Sequence, residues 1–466
     1  MTSRIEDTGK PITIVISDLH LGGGKADTGD DHVYQGGELC RFLAKGIPES
    51  DKGRVELFIN GDFLEFAQVL PDVYALGSSK YWTSEKESLE KLGAILSGHS
   101  EIFLGLKEFI ARGNLLTISA GNHDVDLYWE GVQNSITKVV GPVRFALGKD
   151  WYPRYDGRLL IGHGHAFDPA NKFKHWSNPI LKRRNGIPRL EMCPGTLFLV
   201  KFFNWLDAKY PFADNVKPIM NLVRILYDEP DSPFKAILWM ALKFTARHPR
   251  SALGPKEEAF ARVNNFGTVV LDKLNYSAEF ALKIAELNRK MGRRATTLDE
   301  IRTKIRSENE LFTFLQDVVV KLPPGLWLPV FDLPNPVSLG IGSSAGTALS
   351  VVRSGFMDDS EILRNTAIDI LSTSAVEAVI CGHTHQPDEW RGREGECLDG
   401  GYFNPGSWTR YLDLRRLEGL TLSDLKNEED FPYQLNYIRV EEATNGNLRG
   451  DKICFAANDG RRWKLK

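Results

Sequence analysis

A chain of 466 residues, 42% of them hydrophobic, can bury a large core and has room for about two or three domains. Its net charge of -3 excludes a general electrostatic bias toward nucleic acid or anionic membrane. The five cysteines (Cys40, Cys193, Cys381, Cys397 and Cys454) are scattered, odd in number and without a C-x-x-C pair, which argues against a zinc-finger module and for a reducing, cytoplasmic setting. Residues 1–10 have acids and no apolar core, so no signal peptide is expected, and no apolar run reaches the length of a membrane span.

Ile12–Ser17 is a β-branched run that predicts a buried strand, and it ends in Asp18-Leu19-His20 before three glycines. Asp18 and His20 are two apart, so an extended backbone would aim both the same way, forming half of a metal site. A helix is predicted over 38–45. Val55–Asn60 is a second strand and ends in Gly61-Asp62, with Glu65 three residues on. Helices over 84–96 and 101–111 lead to a third strand, Leu115–Ile118, and to the string Gly121-Asn122-His123-Asp124. Gly121 is expected to permit a sharp exit that presents Asn122 and His123 at the sheet's edge. The order β-α-β-α-β predicts a parallel or mixed sheet with helical crossovers. A helix over 129–140 and a strand over 158–161 follow, the latter ending in Gly162-His163-Gly164-His165; Phe167-Asp168-Pro169 closes that edge.

Residues 170–370 break this rhythm. Segments 197–206, 219–227 and 236–244 are apolar almost all round, and residues 171–250 hold 14 Lys/Arg against 6 Asp/Glu, a net of +8. Helices are predicted over 258–273 and 297–322, then a proline-rich loop to Pro336. Gly340–Gly346 imitates a phosphate-cradling loop but lacks its lysine, and reads as structural. The α/β pattern returns with a helix over 360–371 and a strand over 375–380 that ends in Gly382-His383-Thr384-His385. The segment 402–408 and the alternation of 434–440 suggest a C-terminal β-meander turning at Asn445-Gly446.

Asp18, His20, Asp62, Asn122, His123, His163, His383 and His385 thus all follow apolar runs, each with a glycine close by. Parallel strands deliver their C-termini to one edge, so these groups should converge. Carboxylates and imidazoles cannot share a buried cleft uncompensated, because isolated buried charge costs several kcal/mol. Two divalent ions about 3.5–4 Å apart would compensate it, with a carboxylate bridging them.

The motifs D-x-H, G-D-x-x-E, G-N-H-D, an isolated histidine after a strand, and G-H-x-H, in that order, resemble those of the calcineurin-like metallophosphoesterase superfamily. The likeness covers roughly residues 10–168 and 372–440. It implies a four-layer α/β/β/α sandwich, split as a first core part (10–169), a helical insertion or cap (170–370) and a second core part with C-terminal strands (371–466). It implies that Asp18, His20 and His385 bind one ion, that Asp62 bridges, and that Asn122, His163 and His383 bind the other. His123 would then face the leaving-group oxygen as general acid, with Glu65 as its orienting partner. The expected cofactors are two divalent ions, Mn2+ first, with Fe or Zn2+ also fitting such ligands. The expected reaction is phosphoester hydrolysis, in which a hydroxide activated by the ions attacks phosphorus.

Within the superfamily, the branch that includes UDP-2,3-diacylglucosamine pyrophosphatase is most similar, although that enzyme usually carries arginine at the position of His123 and has a shorter insertion. The expected substrate is a bulky phosphodiester, pyrophosphate or phosphomonoester, a lipid-linked one among the options. For the basic, apolar insertion two readings stand: peripheral contact with an anionic lipid or the inner membrane face through 196–247, or helices that bury one another as a cap. A nuclease is the alternative enzyme reading; against it, the insertion's arginines and lysines lie among apolar residues rather than along a groove with stacking aromatics. A metal-free scaffold of the same fold is the non-enzymatic alternative; against it, every ligand position is filled.

Overall fold

The computed structural model describes residues 11–24, 36–69, 83–168, 171–182, 186–193, 359–392, 400–410 and 421–465, with short stretches between 195 and 217 and at 412–413. The apolar segments 219–227 and 236–244, the helices expected over 258–273 and 297–322, the proline-rich loop and the Gly340–Gly346 run lie outside the described residues, as does most of 197–206. Among the described residues no helix is long and apolar enough to cross a membrane.

The fold is mixed α/β. In chain order it begins β1 (Ile12–Ile16), α1 (Gly36–Arg41), β2 (Val55–Asn60), α2 (Glu85–Gly98), α3 (Ser100–Ala111), β3 (Leu115–Ser119), α4 (Glu130–Val140) and β4 (Arg144–Ala146). It continues with β5 (Tyr152–Arg154), β6 (Leu159–Ile161), β7 (Ile180–Lys182), β8 (Pro188–Leu190), β9 (Val216–Lys217), α5 (Asp359–Thr373), β10 (Ala378–Ile380), β11 (Asp388–Trp390), β12 (Gly401–Asn404), β13 (Leu412–Asp413), β14 (Tyr433–Glu442) and β15 (Leu448–Asn458). One sheet runs β15-β14-β1-β2-β3-β4, and a second runs β11-β12-β10-β6-β5. Strands β1 to β4 are parallel, with Ile14 opposite Leu57 and Leu57 opposite Leu116. The C-terminal hairpin β14–β15 adds to β1 in the antiparallel sense, turning at Ala443–Asn447. In the second sheet β6, β10 and β12 are parallel, and the edges β5 and β11 are antiparallel. Both sheets are mixed.

Alternation along the strands explains the packing. Ile12, Ile14 and Ile16 of β1, with Leu57, Ile59, Leu116 and Ile118, meet buried residues of α1 to α4 such as Leu39, Leu92, Phe103 and Ile136. The opposite face carries Val15, Phe58, Ile438 and Val440, which pack against Leu159, Ile161, Ala378, Ile380 and Phe403 of the second sheet. That sheet's other face, Val379, Cys381 and Tyr402, packs on Leu363 and Ala367 of α5. Phe173, Leu190 and Cys193, from the start of the section first read as the insertion, belong to the core on the helical side of the first sheet.

Candidate metal centre

Two sets of parallel strands, β1, β2 and β3 of one sheet and β6, β10 and β12 of the other, end at one place. Their C-terminal loops are laced together by main-chain and side-chain hydrogen bonds. Asp18 N–H donates to Gly61 O at 3.2 Å, Gly382 N–H to His163 O at 2.9 Å, and Trp408 N–H to Asp18 O at 3.1 Å. The Asn60 amide donates to Gly162 O at 3.0 Å and so bridges the sheets. A Cβ on Gly382 would lie 2.0 Å from Ser17 Oγ and 2.7 Å from Asp18 Oδ2, so only glycine allows this approach.

Each predicted residue is at this junction. Ligand atoms of Asp18, His20 and His385 all lie within 4.8 Å of one another, as do those of Asp62, His163 and His383, and those of His20, Asp62 and His123. His20 Nε2 is 3.1 Å from His385 Nε2, and His385 Nε2 is 3.6 Å from Asp18 Oδ1. His163 Nε2 is 3.1 Å from Asp62 Oδ2. Asn122 lies between Gly121, whose Cβ would meet Asp62 Oδ1 at 2.2 Å, and His123, whose N–H donates to that same oxygen at 2.9 Å. Asp18, His20, Asp62, Glu65, Asn122 and His163 are buried, whereas the His123 side chain keeps 18% exposure and faces the open side.

The backbone corrects two expectations. Asp18, His20, Asp62, His383 and His385 all have left-handed φ, between 48° and 70°, and make up five of the seven such non-glycine residues among those described. The two D-x-H and H-x-H pairs therefore converge through paired left-handed turns, not through the alternation of an extended strand. Such conformations cost of order 1–3 kcal/mol each and persist where the surroundings demand them. Gly121 in turn is required for space rather than for a sharp exit: its φ is not left-handed, but a Cβ would also press on His163 Nε2 at 2.7 Å.

Hydrogen bonds assign the imidazole tautomers. His163 Nδ1–H donates to the Asn60 carbonyl at 2.8 Å, which turns Nε2 toward Asp62. Glu65 accepts from His20 Nδ1–H at 2.7 Å and from His123 Nδ1–H at 2.7–2.8 Å. Burial works against the Glu65 charge, yet the His123 and His20 rings outweigh it and hold its pKa at about 2, so it only accepts. Glu65 is thus shared by two histidines, where the sequence reading paired it with His123 alone. Burial likewise opposes charge on His163, but the Asp62 carboxylate raises its pKa to about 10. Asp62 itself is held well below the usual carboxylate range by His163, His123 and His20 despite its burial.

Asp124, Asp168, Asn171 and Asn60 support the centre and had no role in the sequence reading. Asp124 accepts from the N–H groups of Gly121 and Phe63 at 2.6 and 2.8 Å, tying the β2 and β3 loops together; burial, then Asp62, raises its pKa to about 7. Asp168 Oδ2 lies 3.1 Å from His383 Nε2 and accepts from the Asn171 amide, and Asn171 reaches on to Asn122. Asn60 serves as described above. His165 is buried beside the centre, with its ring 4.2 Å from that of Trp176; burial, then His163 and His383, keeps it neutral.

Donor atoms on a single divalent ion, each about 2.0–2.2 Å from it, stand roughly 3 Å or slightly more apart. The 3.1 and 3.6 Å separations here fit that spacing. Asn122 Oδ1 is moreover a buried acceptor atom with no hydrogen bond, a costly arrangement that a bound cation would satisfy. The cluster can therefore hold divalent cations with mixed carboxylate, imidazole and amide ligands. No protein-family model matches this chain, and no curated protein matches it.

Proposed function

We propose that this protein is a binuclear metal-dependent phosphoester hydrolase of the calcineurin-like metallophosphoesterase superfamily. The observation that carries the reading is the meeting of two ligand groups, Asp18/His20/His385 and Asp62/His163/His383, at one edge of two sheets. They come from four separate strand ends in the order the superfamily motifs require, and Asn122 adds a fifth. The layering of helices, two sheets and α5 supports reading the fold as its four-layer α/β/β/α sandwich.

In this reading Asp18, His20 and His385 would hold one ion, Asn122, His163 and His383 would hold the other, and Asp62 would serve both. When bound, such ions supply a water activated near neutral pH and neutralise charge on phosphoryl oxygens. The chain's own residues do the rest. The Asn60 carbonyl and Glu65 hold His163 and His20 with Nε2 inward. Glu65 accepts from His123 Nδ1–H and favours the imidazolium form, whose Nε2–H would protonate the departing oxygen on the open side. The substrate class is a bulky phosphodiester, pyrophosphate or phosphomonoester.

The test is a hydrolysis panel, run with Mn2+ and after chelation: an aryl phosphate monoester, an aryl phosphodiester, nucleotide pyrophosphates and a lipid-linked nucleotide. We expect about two ions per chain, and turnover of at least one substrate that chelation abolishes and Mn2+ restores. A protein that binds no divalent ion, or one whose activity ignores chelation, would reject the proposal.

A further inference from the structure

The second ligand group contains an element of design that its motif does not include. Asn122 can be a ligand only through Oδ1; turned over, it would aim an NH2 group at a cation. Side-chain amides are nearly symmetric in shape, so the neighbouring hydrogen bonds must choose.

A chain of polar groups makes the choice. A carboxylate only accepts, so Asp168 compels Asn171 to present its NH2, which donates to Asp168 Oδ2. Asn171 must then show Oδ1 to the other side. That oxygen accepts from Asn122 Nδ2 at 3.3 Å and faces Cys193 Sγ at 3.6 Å. Asn122 Oδ1 is thereby turned away from Asn171, buried and without a hydrogen bond of its own. Thr196 Oγ1–H fixes the same residue's main chain, donating to Asn122 O at 3.1 Å. Asp168 also faces His383 Nε2 at 3.1 Å, so one carboxylate sets the orientation of two residues of the second group.

We infer that Asn171 is a positioning residue, which relays the polarity of Asp168 to Asn122 and so makes the second cation site selective for an oxygen-presenting amide. The inference rests on the metal-centre reading above. Asn171 lies beyond the stretch covered by the superfamily motifs, at the start of the section that separates the two core parts. Partners that orient metal ligands typically contribute about 10–100-fold in metal affinity.

The experiment is a Mn2+ titration of the full-length protein, by calorimetry and by the spin-coupled EPR signal of a Mn2+ pair. It compares the wild type, Asn171→Ala, Asn122→Ala and the double variant. Asn171→Ala should weaken the second ion about 10–100-fold and lose the coupled signal, with the first ion's affinity unchanged. In the Asn122→Ala background the same substitution should add nothing, because no amide remains to orient. The chelated variants should melt within a few degrees of the chelated wild type, separating this effect from damage to the fold. If the wild type binds two ions and Asn171→Ala binds both equally well, the inference falls alone. The same holds if its loss is undiminished in the Asn122→Ala background. If the wild type binds none, the metal-centre reading falls and takes the inference with it.

Discussion

At the scale of single residues, the centre is defined by how few atoms serve many partners. Glu65 holds His20 on the ligand side and His123 on the open side through one carboxylate. Its loss and the loss of His123 should therefore differ. On the proposed function, His123→Ala should keep both ions yet lose about 100–10,000-fold in turnover, the usual value of a general acid. Glu65→Ala should lose comparable turnover and also weaken the ion held by Asp18, His20 and His385. Metal analysis beside steady-state kinetics separates the two. Equal metal content in the two variants would show that Glu65 serves His123 only. The residue types were legible because each polar group ends an apolar run and stands near a glycine. The left-handed backbone at Asp18, His20, Asp62, His383 and His385 was not, since aspartate and histidine reach it only under pressure from residues distant in the chain.

At the scale of elements, the two sheets are joined at an edge of their shared face by an ion pair. Glu56 of β2 accepts from Arg154 Nε and Nη2 of β5, both at 2.8 Å, and from Thr117 Oγ1 of β3 at 2.6 Å. Burial alone would raise the Glu56 pKa, but Arg154 and Thr117 outweigh it and the net shift is downward. A depressed carboxylate pKa stabilises the fold above the unfolded value near 4.5, and that contribution is lost as pH falls through the folded value. Glu56→Gln should thus be less stable than the wild type at pH 7, by about 1–3 kcal/mol, with the gap closing toward pH 3. Denaturant midpoints across that range measure it, and a constant gap would discount the pair. The long elements were readable from periodicity: β1, β2, β3, α2, α3, α4 and α5 fall close to their predicted ranges. The three-residue strands β4 and β5 were not, because so short a run has no period and exists only where a neighbour offers hydrogen bonds.

For the whole molecule, the proposed ions would act as staples between sheets, since Asp18 and Asp62 come from one sheet and His163, His383 and His385 from the other. A ligand that binds only the folded state stabilises it by about 2.7 kcal/mol at about 100 times its Kd. Chelation should accordingly lower the melting temperature by roughly 5 °C or more, and Mn2+ should restore it. A melting temperature indifferent to chelator would mean that no tightly held ion ties the sheets. By itself the amino-acid sequence determined the alternation of strands and helices and the set of polar groups at the strand ends, because hydrophobic period and the residues that interrupt it are local properties. Only the tertiary structure decided that the C-terminal hairpin lies beside β1, that Gly121 and Gly382 are needed for space, and that Asp124, Asp168 and Asn171 support the centre. Each of those depends on atoms brought within a few ångströms across tens to hundreds of residues, and no pattern within a short window of the chain records such a meeting.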